Sequence, residues 1–93
     1  METKLTPLYL KTASQKFDFK TIFTLDLKSR KILAIGALSE CTNLVSLDLS
    51  RNQIASLSGL ENLCNLKILN ISHNKITSIS LLHPLGSLER LEA

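Results

Sequence analysis

The sequence predicts an α/β solenoid, in which a short coil of about 22 residues repeats along the chain behind an N-terminal helical cap. Three segments, 22–43, 44–65 and 66–87, align without a gap, and a fourth begins at 88 and runs to 93. Leucine fills 20 of the 93 positions and isoleucine another 8, which indicates a regular aliphatic core. The repeated core positions are Leu25, Leu27, Ile32, Ile35, Leu38 and Cys41; Leu47, Leu49, Ile54, Leu57, Leu60 and Leu63; Leu69, Ile71, Ile76, Ile79, Leu82 and Leu85.

Each segment contains two hydrophobic periods. Leu47-Asp48-Leu49 alternates apolar with polar, as a short strand with one buried face does. The apolar residues that follow recur every third position from Ile54 to Leu63, which matches a 3-10 or irregular return path better than an α-helix. We therefore expect strands stacked in a short parallel sheet, with the leucines of each coil buried against the next.

The segments Leu44–Ile54 and Leu66–Ile76 resemble the leucine-rich-repeat consensus, in the short form typical of the intracellular phosphatase-regulator and dynein-light-chain class. The resemblance covers residues 22–93. It implies that Asn52 and Asn74 form a ladder, in which each side chain bonds backbone groups in the turns, because a tight turn otherwise leaves buried polar groups unpaired. Arg30 stands at this position in the first segment, as expected of an end repeat.

The resemblance also implies a concave face made of the strand residues that point away from the leucines. On the first three strands and the turns after them these are Thr24, Asp26, Lys28, Ser46, Asp48, Ser50, Arg51, Ile68, Asn70, Ser72 and His73, and the fourth segment adds Arg90 and Glu92. Because parallel strands lie about 4.8 Å apart, the acids at positions 26, 48 and 92 would share one column with Asn70. Such a column fits a basic partner, and it equally fits soluble residues at exposed strand positions.

Residues 1–21 do not fit the repeat and are predicted to form the N-terminal cap. Thr6 followed by Pro7 is a favourable helix start, a hydroxyl N-cap with proline at the first helical position. Phe17 and Phe19 alternate with charged residues, as an edge strand does. We expect the cap to cover the first coil with its apolar side chains, which are Leu5, Leu8, Phe17 and Phe19.

Charge and cysteine usage favour a protein-binding role over other classes. Residues 1–31 hold seven Lys or Arg against three acids, but these charges are scattered without aromatic interleaving, so a solvated face is favoured over a nucleic-acid or membrane site. Cys41, in a core position, and Cys64, in a turn, are too few and too loosely placed for a disulfide framework, so a reducing compartment is expected. His73 and His83 lack nearby ligands for a metal. No cofactor and no catalytic group are predicted.

The predicted function is a non-catalytic protein–protein interaction module, an adaptor or regulatory subunit that binds its partner through the concave face. The alternative is a structural component of a larger cytoskeletal or ciliary assembly. We expect a cytoplasmic location, with the nucleus or cytoskeleton as alternatives. The chain ends after the strand residues of the fourth segment, so it is expected to be truncated and to self-associate through a C-terminal edge that includes Leu82, Leu85, Leu88 and Leu91.

Overall fold

The computed structural model describes residues 3–77 and 85–93. Its strands are β1 (Thr3–Lys4), β2 (Thr24–Asp26), β3 (Ile32–Ala34), β4 (Ser46–Asp48), β5 (Ile68–Asn70) and β6 (Arg90–Glu92). Its helices are α1 (Pro7–Ser14) and two 3-10 helices, Phe19–Thr21 and Gly36–Glu40.

The main sheet is four-stranded and parallel, in the order β2-β4-β5-β6. Leu25, Leu47, Leu69 and Leu91 are register partners across it. Backbone bonds beyond the strands keep the same step, because Leu27 N donates to Asp48 O and Leu49 N donates to Asn70 O, both at 2.8 Å. The sheet thus confirms the short parallel sheet predicted from the repeat, with one strand for each of its four segments.

The return path uses the period of three that the apolar residues predict. Leu60 N donates to Leu57 O, Leu63 N to Leu60 O, and Leu66 N to Leu63 O, all within 3.0–3.1 Å. The first repeat has the same pattern from Ile35 to Leu44, where a 3-10 helix covers Gly36–Glu40. Each such bond joins one buried apolar residue to the next, so the turns that shape the return path also direct its side chains inward. Ile79 and Leu82 lie outside the described residues.

The core lies between the sheet and the return path. Leu27, Leu49 and Leu69 from the strand side are fully buried, and so are Leu38 and Leu60 from the return side. Burying one such side chain stabilises the fold by roughly 1.5–3 kcal/mol. The α/β solenoid is therefore confirmed, with a core formed by stacked coils.

The N-terminal cap begins with the predicted helix, but the segment after the helix differs from its prediction. Thr6 caps α1 by accepting from the backbone N–H of Tyr9 at 3.1 Å, and Pro7 opens the helix. Leu5 and Leu10 are buried against the core, and β1 pairs in parallel with β3.

Two of the four residues expected to cover the first coil do not cover it. Leu8 is 74% exposed, because α1 turns the side chain of Leu10 inward and that of Leu8 outward. Phe17, which follows the helix, is 89% exposed. The edge strand expected around Phe17 and Phe19 is also wrong. Asp18 accepts from the backbone N–H of Lys20 and starts the 3-10 helix Phe19–Thr21, so a local side-chain cap replaces strand pairing.

Candidate protein-binding face

The concave face consists of the side chains that the main sheet presents on the side opposite the leucine core. Register places Thr24, Ser46, Ile68 and Arg90 in one column across the four strands. A second column, two residues further along each strand, contains Asp26, Asp48, Asn70 and Glu92. The expected columns are therefore present, and adjacent members lie about 4.8 Å apart between strands.

The second column has a structural role at the strand ends. Asp48 Oδ1 accepts from the backbone N–H of Ser50 at 2.9 Å and from its hydroxyl at 2.7 Å. Asn70 Oδ1 makes the same two bonds with Ser72, at 3.0 and 2.8 Å. Asp26 accepts from the backbone N–H of Lys28. These side chains hold the turn that follows each strand, as Asx motifs do.

Ser50 departs from its predicted place on the exposed face. It is only 6% exposed, its hydroxyl donates to Asp48 Oδ1, and its carbonyl accepts from Asn52 Nδ2. Lys28 and Ser72 remain accessible at the equivalent positions of the neighbouring repeats. Ser50 therefore belongs to the turn and offers little surface to a partner.

A left-handed residue precedes the ladder position in every complete repeat. Ser29, Arg51 and His73 have φ of 58°, 58° and 57° and are spaced 22 residues apart. This conformation turns the chain sharply out of the strand. Arg51 and His73 are exposed at the rim of the concave face. The sequence signals neither conformation, because both residues differ from the glycine or asparagine that usually marks it.

The asparagine ladder forms as the resemblance implies. Asn52 Nδ2 donates to Leu27 O and Leu49 O, and its Oδ1 accepts from the backbone N–H groups of Arg30 and Ile32. Asn74 repeats the pattern one coil later. Its Nδ2 donates to Leu49 O, Ile71 O and Ser72 O, and its Oδ1 accepts from Ile54 N. Each amide thus joins its own turn to the preceding repeat.

Ion pairs neutralise most of the charge on the concave face and its margin. Lys28 Nζ lies 3.7 Å from Asp26 Oδ2, and Arg90 pairs with Glu92 along β6. Lys67 Nζ lies 3.9 Å from Glu89 Oε2 just before the strands. These pairs are exposed, so each is worth little to stability. Within residues 3–77 and 85–93, Asp48 belongs to no ion pair of this kind.

Ile68 is a large apolar side chain that the sheet exposes on this side, and Phe23 is a second exposed apolar side chain just before β2. Ile68 on β5 is 44% exposed, and Phe23, the residue before β2, is 53% exposed. Ile68 was among the predicted residues, but Phe23 was not. Its position is equivalent to Val45, Lys67 and Glu89 in the other repeats, and the mixed chemistry of that column gave no periodic signal.

The two cysteines lie in different environments. Cys41 is fully buried, and burial, followed by the charge of Glu40, raises the pKa of its thiol to about 11, so it is a core residue as predicted. Cys64 is an exposed free thiol. His83 lies outside the described residues. Among residues 3–77 and 85–93, no three potential metal ligands cluster, and no helix is long and apolar enough to span a bilayer.

Comparisons with known proteins identify the repeat. Residues 40–61 and 62–81 match the leucine-rich-repeat family model. The chain is similar to internalin C2 from Listeria monocytogenes, with 38% identity and a TM-score of 0.78, over 80% of this chain and 33% of that one. It is also similar to internalin F from the same bacterium, with 27% identity and a TM-score of 0.62, over 76% of this chain and 27% of that one.

These matches establish the class of protein. Residues 40–81 are leucine-rich repeats, and the chain has the leucine-rich-repeat fold. It spans about a third or less of the length of the two internalin structures, at 33% and 27%. Comparison with curated proteins gives no match. The sequences around Leu5–Leu10 and Phe17–Phe19 also resemble the protein called leucine-rich repeat containing protein sixty-one, but the comparisons do not support that closer relationship.

Proposed function

We propose that the protein is a non-catalytic adaptor or regulatory subunit that binds another protein through its concave face. Leucine-rich repeats generally mediate protein–protein interaction, and the internalin-like neighbours are typically non-catalytic. The observation that carries the proposal is the exposed apolar side chain of Ile68, surrounded by polar columns on a sheet whose strand ends are already hydrogen-bonded. Protein interfaces have an apolar centre and a polar rim, and Ile68 with the polar residues around it fits that arrangement.

Rigidity also supports this face as the binding surface. The ladder amides and the Asx turns fix the strand ends, so the side chains in the columns keep their spacing without a partner. A preorganised surface loses less conformational entropy when it binds. Among the described residues of the return segments, Leu33 on β3 is the large apolar side chain that is exposed, at 40%. It lies outside the four-stranded sheet.

The test compares two double variants in affinity capture from cell extract. Thr24→Lys with Ile68→Lys adds two bulky charges to the concave face at exposed positions with no side-chain hydrogen bond. Thr42→Lys with Asn62→Lys makes the same charge change on exposed positions of the return segments. We expect the concave variant to lose the captured proteins and the return-segment variant to keep them, with both folded by circular dichroism. Loss with only the return-segment variant would move the binding face there.

We also propose a reducing location, the cytoplasm, with the nucleus or cytoskeleton as alternatives. The support is that Cys41 and Cys64 are both unpaired and that Cys64 is exposed. A structural role in a cytoskeletal or ciliary assembly is the alternative to the adaptor.

Self-association through the edge strand β6, where Leu91 is 38% exposed, is a further proposal. Sedimentation at rising concentration tests it, because a constant molecular mass would exclude it.

A further inference from the structure

We propose that Asp48 recognises a cation, a Lys or Arg side chain of an extended partner segment whose neighbouring apolar side chain rests on Ile68. This proposal rests on the proposed function and gives the partner's chemistry. Asp48 holds its turn by hydrogen bonds that do not need its negative charge, because the neutral Asn70 makes the same bonds in the third repeat.

Position 70 shows what the turn requires. Asn70 Oδ1 holds Ser72 with bonds of 3.0 and 2.8 Å, and Asp48 Oδ1 holds Ser50 with bonds of 2.9 and 2.7 Å. A neutral amide oxygen therefore makes the same turn as a carboxylate. The negative charge of Asp48 is not needed for the local fold, so it is available for another role.

The ion pairs around Asp48 leave its carboxylate unpaired on the strands that the structure describes, while Arg51 adds a positive charge at the rim of the face. Lys28 pairs with Asp26 on one side, and Arg90 pairs with Glu92 two strands away. Asp48 joins none of the ion pairs among the described residues, and it lies next to Asp26 in register. The carboxylate of Asp48, which joins none of these pairs, thus lies beside that of Asp26 at the middle of the sheet, and this arrangement attracts a cation and repels an acidic segment.

The spacing of Asp48 and Ile68 selects the form of the partner. Ile68 pairs in register with Ser46, two residues before Asp48 on the same face. The two side chains are therefore diagonal neighbours, roughly 8 Å apart from strand spacing and rise. Residues i and i+2 of an extended chain point to the same side, about 7 Å apart. An extended segment with a basic residue two positions from an apolar one fits both side chains.

The experiment selects binders from a phage-displayed library of random peptides of ~12 residues. The wild-type protein should enrich peptides with Lys or Arg two positions from an aliphatic or aromatic residue. A synthetic copy of the strongest peptide, titrated by calorimetry, should bind Asp48→Asn about tenfold more weakly and lose affinity in high salt. Glu40→Gln removes an exposed carboxylate from the return path and should bind as wild type does. Equal thermal melts of the variants would show that the fold is intact.

Each outcome supports or overturns the proposal. Enrichment without basic residues, equal affinity of Asp48→Asn, or no enrichment at all overturns it, because the proposal commits to a short basic segment. If the selected peptides lack cations but fail to bind Thr24→Lys with Ile68→Lys, the charge inference is wrong and the concave-face function stands. If the selected peptides bind that double variant as well as they bind wild type, the concave-face function itself is wrong.

Discussion

The repeat region and the N-terminal cap bury their apolar residues by different rules. In the repeats, an apolar residue at a given offset has an equivalent in the next coil, and Leu38 and Leu60 are both fully buried. In the cap, Leu8 and Leu10 are two residues apart on one helix, and only Leu10 is buried. In the repeats the same apolar offset is seen several times in the sequence, whereas the pattern of the cap occurs once.

The largest effect is expected at Gly59, where two return segments approach closely. Its φ is +116°, and an added Cβ would lie 2.5 Å from Ile35 O and 2.9 Å from Gly36 Cα. Both atoms are backbone, so they cannot move without displacing the first repeat. Gly59→Ala should lower the free energy of unfolding by about 4 kcal/mol, measured by chemical denaturation.

Gly36 provides the matched control for Gly59. A Cβ at Gly36 would meet nothing within 4 Å, and its backbone lies in a 3-10 helix. Gly36→Ala should change the free energy of unfolding by less than about 1 kcal/mol. Similar losses for the two alanine variants would mean that the stacking of the first two return segments differs from the structure.

The next largest loss of stability is expected in the N-terminal cap, where substitutions show whether the cap unfolds together with the repeats. Leu10→Ala removes a fully buried side chain and should lower the free energy of unfolding by about 3 kcal/mol. Leu8→Ala changes a side chain that is 74% exposed and should stay within about 0.5 kcal/mol of wild type. Denaturation followed by the helical signal measures both. If Leu10→Ala left the main transition unchanged, the cap would unfold separately from the solenoid.

Periodicity explains which parts of the fold the sequence predicts. The strand side at Leu47 and Leu49 and the return side at Leu57 and Leu60 follow directly from two periods, and the structure has both. The cap lacks a second copy, so its pattern could not distinguish the buried Leu10 from the exposed Leu8. The position of each polar side chain along the concave columns follows from the same register.

The finer properties of the concave face depend on contacts that sequence spacing does not show. Ser50 has the same offset as the accessible Lys28 and Ser72, yet it is buried, although Ser72 bonds Asn70 as Ser50 bonds Asp48. The left-handed turn at Arg51 and His73 is set by the chain reversal that the ladder stabilises, because neither residue favours it alone. Whether this face binds a protein is a separate question, which the variants above address.

The smallest effects compare the two members of the ladder. Asn52 is 7% exposed and makes five hydrogen bonds, with both Arg30 N and Ile32 N donating to its Oδ1. Asn74 is less buried and makes four hydrogen bonds, and Ile54 N is the one backbone group that donates to its Oδ1.

Asn52→Ala should therefore lower the free energy of unfolding by about 2 kcal/mol and Asn74→Ala by about 1 kcal/mol, since each removed amide leaves backbone groups unpaired. Gln53→Ala and Lys75→Ala, one position on, should be near neutral in the same chemical denaturation series. If all four variants lost equal stability, the ladder would not be what joins the repeats. If Asn74→Ala lost more than Asn52→Ala, the number of bonds and the burial of the amide would not set the strength of each ladder position.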